Sequence, residues 1–183
     1  CCSWRSRGSC RPRSPRLRPR SPRPSRDGSR SRRVGETDVS ATDGSATLRE
    51  MVDAAIARGH KYIAITDHSQ RVSMARGLDA ERVLRQWAEI DALNQELEGA
   101  IVVLKGIECD ILEKGGMDLP DDVLAQADWV LGSVHYGQRQ PRAQITERIL
   151  GALENPHVDA IAHPTGRLLN RREPYDVDLD AVF

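Results

Sequence analysis

Four short apolar runs, each stopping on a side chain that ligates metals, constrain this chain more than any other feature. Tyr62-Ile63-Ala64-Ile65-Thr66 runs into Asp67-His68, and Ile101-Val102-Val103-Leu104-Lys105-Gly106-Ile107 runs into Glu108. Trp129 to Val134 runs into His135, and Val158 to Ala162 runs into His163. Runs of this length, rich in β-branched residues and bounded by glycine or polar residues, read as buried strands. Helical patterns separate them, which predicts parallel βα units of an α/β fold. In such folds the C-terminal strand ends converge on one face, where function is built. A single histidine at a strand end reads as a satisfied core residue. Four ligand-type residues at four strand ends read as one polynuclear metal site.

The connecting segments carry their own start and stop signals. Thr47-Leu48-Arg49-Glu50 is a capping box, with Leu48, Met51, Val52, Ala55 and Ile56 following at helical spacing until Gly59. A second helix runs from Asp79 to Leu97, with Val83, Leu84, Trp87, Ile90, Leu93 and Leu97 as its inner stripe. A short helix is expected over 121–126. Another starts at Pro141, with Ile145, Ile149, Leu150 and Leu153 inward and Asn155-Pro156 as its stop, and one more starts near Asp176. Loops at 69–77, 112–122 and 163–167 follow the ligand-bearing strands. About four or five βα units are visible, too few for an eight-stranded barrel.

Charge divides the chain in two. Residues 1–33 hold 12 Arg against one acid, about +11, and the remainder carries about −11, so no basic face for gripping DNA is evident in the globular part. The first 35 residues form an Arg/Ser/Pro-rich tail with almost nothing to bury and are expected to be disordered, leaving 36–183 as the folded unit. The tail reads either as an arginine-rich nucleic-acid arm or as out-of-frame translation of a GC-rich gene. The scarcity of lysine, only Lys61, Lys105 and Lys114, favours the second. No apolar run approaches the roughly 20 residues of a membrane span, and the start lacks a signal-peptide core. Cys1, Cys2, Cys10 and Cys109 form no Cys-x-x-Cys pair, which excludes a zinc ribbon or disulfide framework. Cys109 is expected to pack as a small hydrophobe in a reducing, cytoplasmic protein.

Imidazole and carboxylate together suit Zn²⁺, Mn²⁺ or Fe²⁺, whereas calcium and magnesium prefer oxygen throughout. A carboxylate such as Glu108 bridges two ions, and paired ions hydrolyse phosphate esters with few side-chain bases. That matches a chain without a Ser/His/Asp or Cys/His arrangement. Arg71, Arg76 and Arg167 lie on loops after the ligand-bearing strands and are candidates to grip substrate phosphate bidentately. The alternative for each is a solvated loop charge. His60 and His157 read as structural turn residues. Asp67 either orients a ligand or caps the following turn.

Thr66-Asp67-His68-Ser69, Lys105-Gly106-Ile107-Glu108, Ser133-Val134-His135 and Ala162-His163-Pro164-Thr165-Gly166-Arg167 resemble the PHP (polymerase and histidinol phosphatase) domain. Arg76-Gly77-Leu78, Met117-Asp118-Leu119-Pro120 and Arg171-Arg172-Glu173-Pro174-Tyr175 resemble its branch at the C-terminus of bacterial family X DNA polymerases. The likeness runs from about Asp43 to Phe183. It implies a distorted seven-stranded (β/α) barrel binding two to three divalent ions, Mn²⁺ or Zn²⁺ or else Fe²⁺. It also implies metal ligands at Asp43, His68, Glu108, His135 and His163, with Glu108 bridging, and Glu108, His68 and His135 as the catalytic set. The implied activity is 3′–5′ exonucleolytic or end-trimming hydrolysis of DNA in repair, with a polymerase domain expected upstream. Two other functions compete: a stand-alone phosphatase on a small phosphomonoester such as histidinol phosphate, and a non-catalytic module. The family's opening His-x-His is replaced by Val34 to Ser40, where Glu36 and Asp38 are conceivable ligands but neither is taken as one. Its closing Asp-x-His would lie beyond Phe183. The expectation is therefore an internal piece of a longer protein, an incomplete barrel, incomplete metal binding and weak catalysis.

Overall fold

Four parallel strands in the order β1-β2-β3-β4 carry the fold. They are β1 Tyr62–Ile65, β2 Val102–Asp110, β3 Trp129–Ser133 and β4 Ala160–Ile161. Around them lie α1 Leu48–Ala57, α2 Ala80–Glu96, α3 Asp121–Leu124, α4 Arg142–Glu154 and α5 Leu179–Val182. The computed structural model describes residues 37–183, so the expectations for the tail at 1–35 and for Glu36 lie outside the described residues. Among the described residues, no helix is long and apolar enough to cross a membrane.

The helices start where their capping residues dictate. Thr47 and Glu50 complete a reciprocal capping box on α1, and the Asp79 carboxylate accepts from Arg82 N at the start of α2. The main core packs Val52 and Ala55 of α1 and Val83, Trp87 and Ile90 of α2 onto Ile65, Val103, Ile107 and Val130 of the sheet. A second cluster joins Ile145, Ile149 and Ala152 of α4 to Ile111, Val134 and Tyr175.

β2 is the spine. Residues 102–105 pair with β1, and Gly106 to Asp110 pair with β3. The change of partner falls at Gly106, where a Cβ would lie 2.4 Å from Ile65 O and where the Trp87 indole donates to Gly106 O at 3.1 Å. Only glycine lets the two strands approach this closely. Gly106→Ala should therefore cost about 3 kcal/mol, the upper part of the overpacking range. Urea unfolding checks this, and a loss under about 0.5 kcal/mol would mean that the strands separate freely.

Several sequence expectations need correction. β2 does not stop at Glu108 but continues to Asp110, because β3 offers pairing partners as far as Ser133. β4 is shorter than the run 158–162, and the Asp159 carboxylate, not a ladder carbonyl, accepts from Val130 N at 3.0 Å. On α2, Leu84 is 36% exposed while Gln86 is buried, turned inward toward Asp67. On α4, Leu153 is exposed and Leu150 half-buried, whereas Thr146 and Arg148 are buried. Arg148 points inward because backbone carbonyls of two loops accept from it.

Candidate metal centre

Glu108 is the hub of the strand-end face. It lies inside β2 and is 2% exposed. Beyond β1 the chain returns to β2: Glu108 N donates to Asp67 O and Ser69 N to Glu108 O, both at 3.0 Å. That bridge sets His68 beside Glu108. His135 and His163 each follow the last residue of their strand by two positions. His68 Nδ1 lies 3.7 Å from Glu108 Oε2, and Glu108 Oε1 lies 3.3 Å from His135 Nε2 and 2.8 Å from His163 Nε2. The rings meet edge to face, 5.0 Å between His68 and His135 and 5.3 Å between His135 and His163. Three imidazoles thus fan around one carboxylate.

His68 also faces a second group. Its Nε2 is 3.9 Å from Asp43 Oδ1, and Asp38, Asp43 and His68 present ligand atoms within 4.8 Å of one another, as do His68, Glu108 and His135. The segment carrying Asp38 and Asp43 is tied to the end of β1. Thr66 N donates to Thr37 O at 2.9 Å, and the fully buried Asp67 accepts from Val39 N at 2.9 Å, from the Thr42 hydroxyl and from the Gln86 amide. Asp67 therefore anchors that segment through its side-chain oxygens.

His163 adopts a left-handed backbone, φ 70°, a conformation costing about 1–3 kcal/mol for such a residue. Its loop is over-determined: Gly166 N donates to His163 O, Tyr175 N to Thr165 O, Arg172 Nε to Gly166 O, and the Tyr175 ring packs on Gly166. His135 is oriented differently. The buried Asp110 accepts from His135 N at 2.9 Å and stands 3.3 Å from its Nδ1, with Ser133 Oγ 3.0 Å from the same nitrogen. Pinning Nδ1 turns Nε2 toward Glu108, the arrangement that fixes ring direction in metal-binding histidines.

The charges are strongly coupled. Burial pushes the Glu108 carboxyl up, but the His135 and His163 contacts and the charges of His163 and His68 outweigh it and hold the group well below the usual carboxylate range. Burial pushes His135 down, yet Asp110 and Glu108 raise it to about 9. Glu108 likewise raises His163, against burial. Burial, reinforced by Asp43, Asp67 and Glu108 against His68, lifts Asp38 to about 6.

The donor set fits divalent cations of the imidazole-and-carboxylate type. Among the described residues, Asp38 Oδ1, His68 Nδ1 and Glu108 Oε1 are buried with no aligned hydrogen bond, although Glu108 Oε1 has two imidazole nitrogens near it. Buried polar atoms are normally paired, so these orphans fit a site that takes a cation.

Of the residues singled out in the sequence, His68, Glu108, His135, His163 and Asp43 come together in these two groups. Asp38, a conceivable ligand in the sequence but not taken as one, stands among them. Asp110 escaped notice, although strand alternation places it on the face of Glu108 two residues earlier. The three arginines differ. Arg71 pairs through Nε with Asp110 Oδ2 at 3.1 Å and through Nη2 with Glu113, and its guanidinium stands 5.3 Å from the centre of the Tyr136 ring. Arg76 donates to Thr42 O. Arg167 is exposed and forms no ion pair among the described residues. His60 and His157 precede β1 and β4, at the strand ends opposite the centre. Cys109 is a free, fully buried thiol, and burial pushes it up to about 12.

The PHP domain family model matches residues 36–169. The DNA polymerase/3'-5' exonuclease PolX of Bacillus subtilis (strain 168) is 52% identical over 142 residues, 78% of this chain and 25% of that protein. A probable phosphatase of Acetivibrio thermocellus is 34% identical over 136 residues, 73% of this chain and 52% of that protein. A probable phosphatase of Thermoanaerobacter sp. (strain X514) is 30% identical over 149 residues, 79% of this chain and 56% of that protein. The chain thus spans about a quarter of the first and about half of the other two.

Proposed function

The chain belongs to the PHP domain family, and we propose that its strand-end face is a two- to three-ion phosphoesterase centre. The observation that carries this reading is one buried carboxylate, Glu108, with three imidazoles around it and a second carboxylate pair beyond His68. Glu108, His135 and His163 would hold one ion. Asp38, Asp43 and His68 would hold another. Mn²⁺, Zn²⁺ and Fe²⁺ suit these donors. When bound, such ions supply Lewis acidity toward a phosphate ester and lower the pKa of water. The protein's own part is to hold the ligands: Asp110 and Ser133 fix His135, Asp67 holds the Asp38–Asp43 segment, and the Tyr175 loop holds His163. Of the three candidate arginines, Arg167 has its fork free for substrate phosphate, and Arg71 and Arg76 serve it through the loops they bind. The four strands are read as part of a distorted (β/α)7 barrel.

DNA 3′ ends are the proposed substrate, hydrolysed as a 3′–5′ exonuclease module within a longer family X polymerase. The 52% identity to PolX supports this. A second reading, hydrolysis of a small phosphomonoester, draws on the probable phosphatases at 34% and 30% identity. Incubating the chain with Mn²⁺ or Zn²⁺ and either a 3′-hydroxyl oligonucleotide or histidinol phosphate separates the two. Release of nucleotides supports the first; release of phosphate from the small ester alone sinks it. A cytoplasmic setting accords with the free thiol of Cys109.

Metal uptake should depend on pH with a definite sign. His135 titrates at about 9 without metal, so at pH 7 it carries a proton that an incoming ion must displace. Affinity should therefore rise with pH, about tenfold per unit for each proton displaced, and level off above about 9. Calorimetry of Mn²⁺ binding at pH 7, in buffers of different ionisation heat, should read at least about one proton released per chain, since His163 is raised as well as His135. Zero protons would show that His135 is not a ligand.

A further inference from the structure

Aromatic residues make up only 4% of this chain. Trp87 and Tyr175 are buried in packing roles, the first bonded to Gly106 O and the second seated on Gly166. Tyr136 is different: it follows His135 directly, and it is half-buried. Its surroundings are built to keep it still. The buried guanidinium of Arg148 donates to Tyr136 O at 2.8 Å, to Gln140 Oε1 at 3.2 Å and to Ile111 O, clamping the loops after β2 and β3 together. The next residue, Gly137, has φ 67°, and a Cβ there would lie 2.7 Å from Glu113 Cγ, so the loop turns tightly against the segment that holds Arg71. Arg71 stands at the Tyr136 ring, held by Asp110 and Glu113. Through Asp110, 3.1 Å from Arg71 and 3.3 Å from His135, the pair is linked to the centre itself.

With Nε and Nη2 of Arg71 engaged by carboxylates, the guanidinium is poorly disposed to grip phosphate and is held against the Tyr136 ring. The Arg71 guanidinium lies over one face of the Tyr136 ring and backs it for stacking on the other, since every base has a π-face. We infer that Tyr136 and Arg71 form a stacking platform for the terminal nucleobase of a nucleic-acid substrate whose scissile phosphate lies at the metal centre. Tyr136 is then a specificity-determining residue, separating nucleic-acid ends from small phosphate esters. The inference rests on the reading of DNA ends as substrate.

The test compares two single-stranded oligonucleotides of the same length with phosphorothioate linkages, one ending in a normal 3′ nucleotide and one in an abasic residue. Binding to the metal-loaded chain is read by fluorescence anisotropy at fixed salt. The wild type should bind the normal end about tenfold more tightly, the scale of one stacked base. Tyr136→Leu keeps the bulk of the loop but offers no π-face, and should bind both ends alike. Tyr136→Phe should restore the preference. A loss confined to loop packing would weaken both ligands equally in Y136L and leave the preference intact, which overturns the platform. No preference in the wild type overturns it as well. A wild type that binds inorganic phosphate and neither oligonucleotide removes the DNA reading itself.

Discussion

Exchanging Glu108 for Gln should empty the metal centre and lower phosphoester turnover by about a thousandfold, the several kcal/mol that a metal centre contributes. The substitution keeps the volume of a side chain that is 2% exposed, so packing is barely disturbed. What it removes is the charge facing His68, His135 and His163 across 3.7, 3.3 and 2.8 Å. Elemental analysis after dialysis is the direct reading. A second reading needs no activity: without metal, His135 should titrate below about 9, because Glu108 is one of the two carboxylates holding it up. Imidazole NMR across pH 5–10 would follow this. Wild-type metal content in E108Q, with an unmoved His135, would show that the carboxylate is a bystander.

Asp67→Ala should be the most destabilising change outside the apolar core. Asp67 is fully buried, and its two oxygens accept from Val39 N, the Thr42 hydroxyl and the Gln86 amide. Truncation leaves three donors without their acceptor, each costing about 1–3 kcal/mol when buried, and relaxation around the site offsets part of that. We expect a loss of about 3 kcal/mol in urea unfolding. Because Asp67 holds the segment bearing Asp38 and Asp43, metal per chain should fall while the Glu108 group retains its share. A variant with full metal content and stability within about 0.5 kcal/mol of wild type would mean that the segment is held by other contacts.

The strands and four ligand-type residues within or beyond them were legible because a polar side chain interrupts an apolar run, and such an interruption survives without knowledge of the fold. Helix starts at Thr47 and Asp79 were legible because capping is a local hydrogen-bond matter. Gln86, Asp110 and Arg148 were not. Each is a polar residue that is partly or wholly buried, and the partners that make its burial tolerable come from distant parts of the chain: Asp67 for Gln86, Arg71 and His135 for Asp110, the Ile111 and Tyr136 carbonyls for Arg148. Periodicity assigns such residues to solvent. The errors at Leu84 and Leu153 are the other side of this, since apolar residues at the margin of a helical stripe yield inner positions to polar neighbours with a bonding partner.

The strands that carry the centre differ greatly in length. Glu108 rides on a nine-residue strand with neighbours on both sides, and His163 follows a strand of two residues. Amide hydrogen exchange should grade these extremes, slowest beneath Glu108 and fastest beneath His163, as opening costs scale with the structure that must be broken. An ion held between them would rest on a rigid side at Glu108 and a looser one at His163. Its release would then run through the His163 side, at a rate tied to how often a two-residue strand opens.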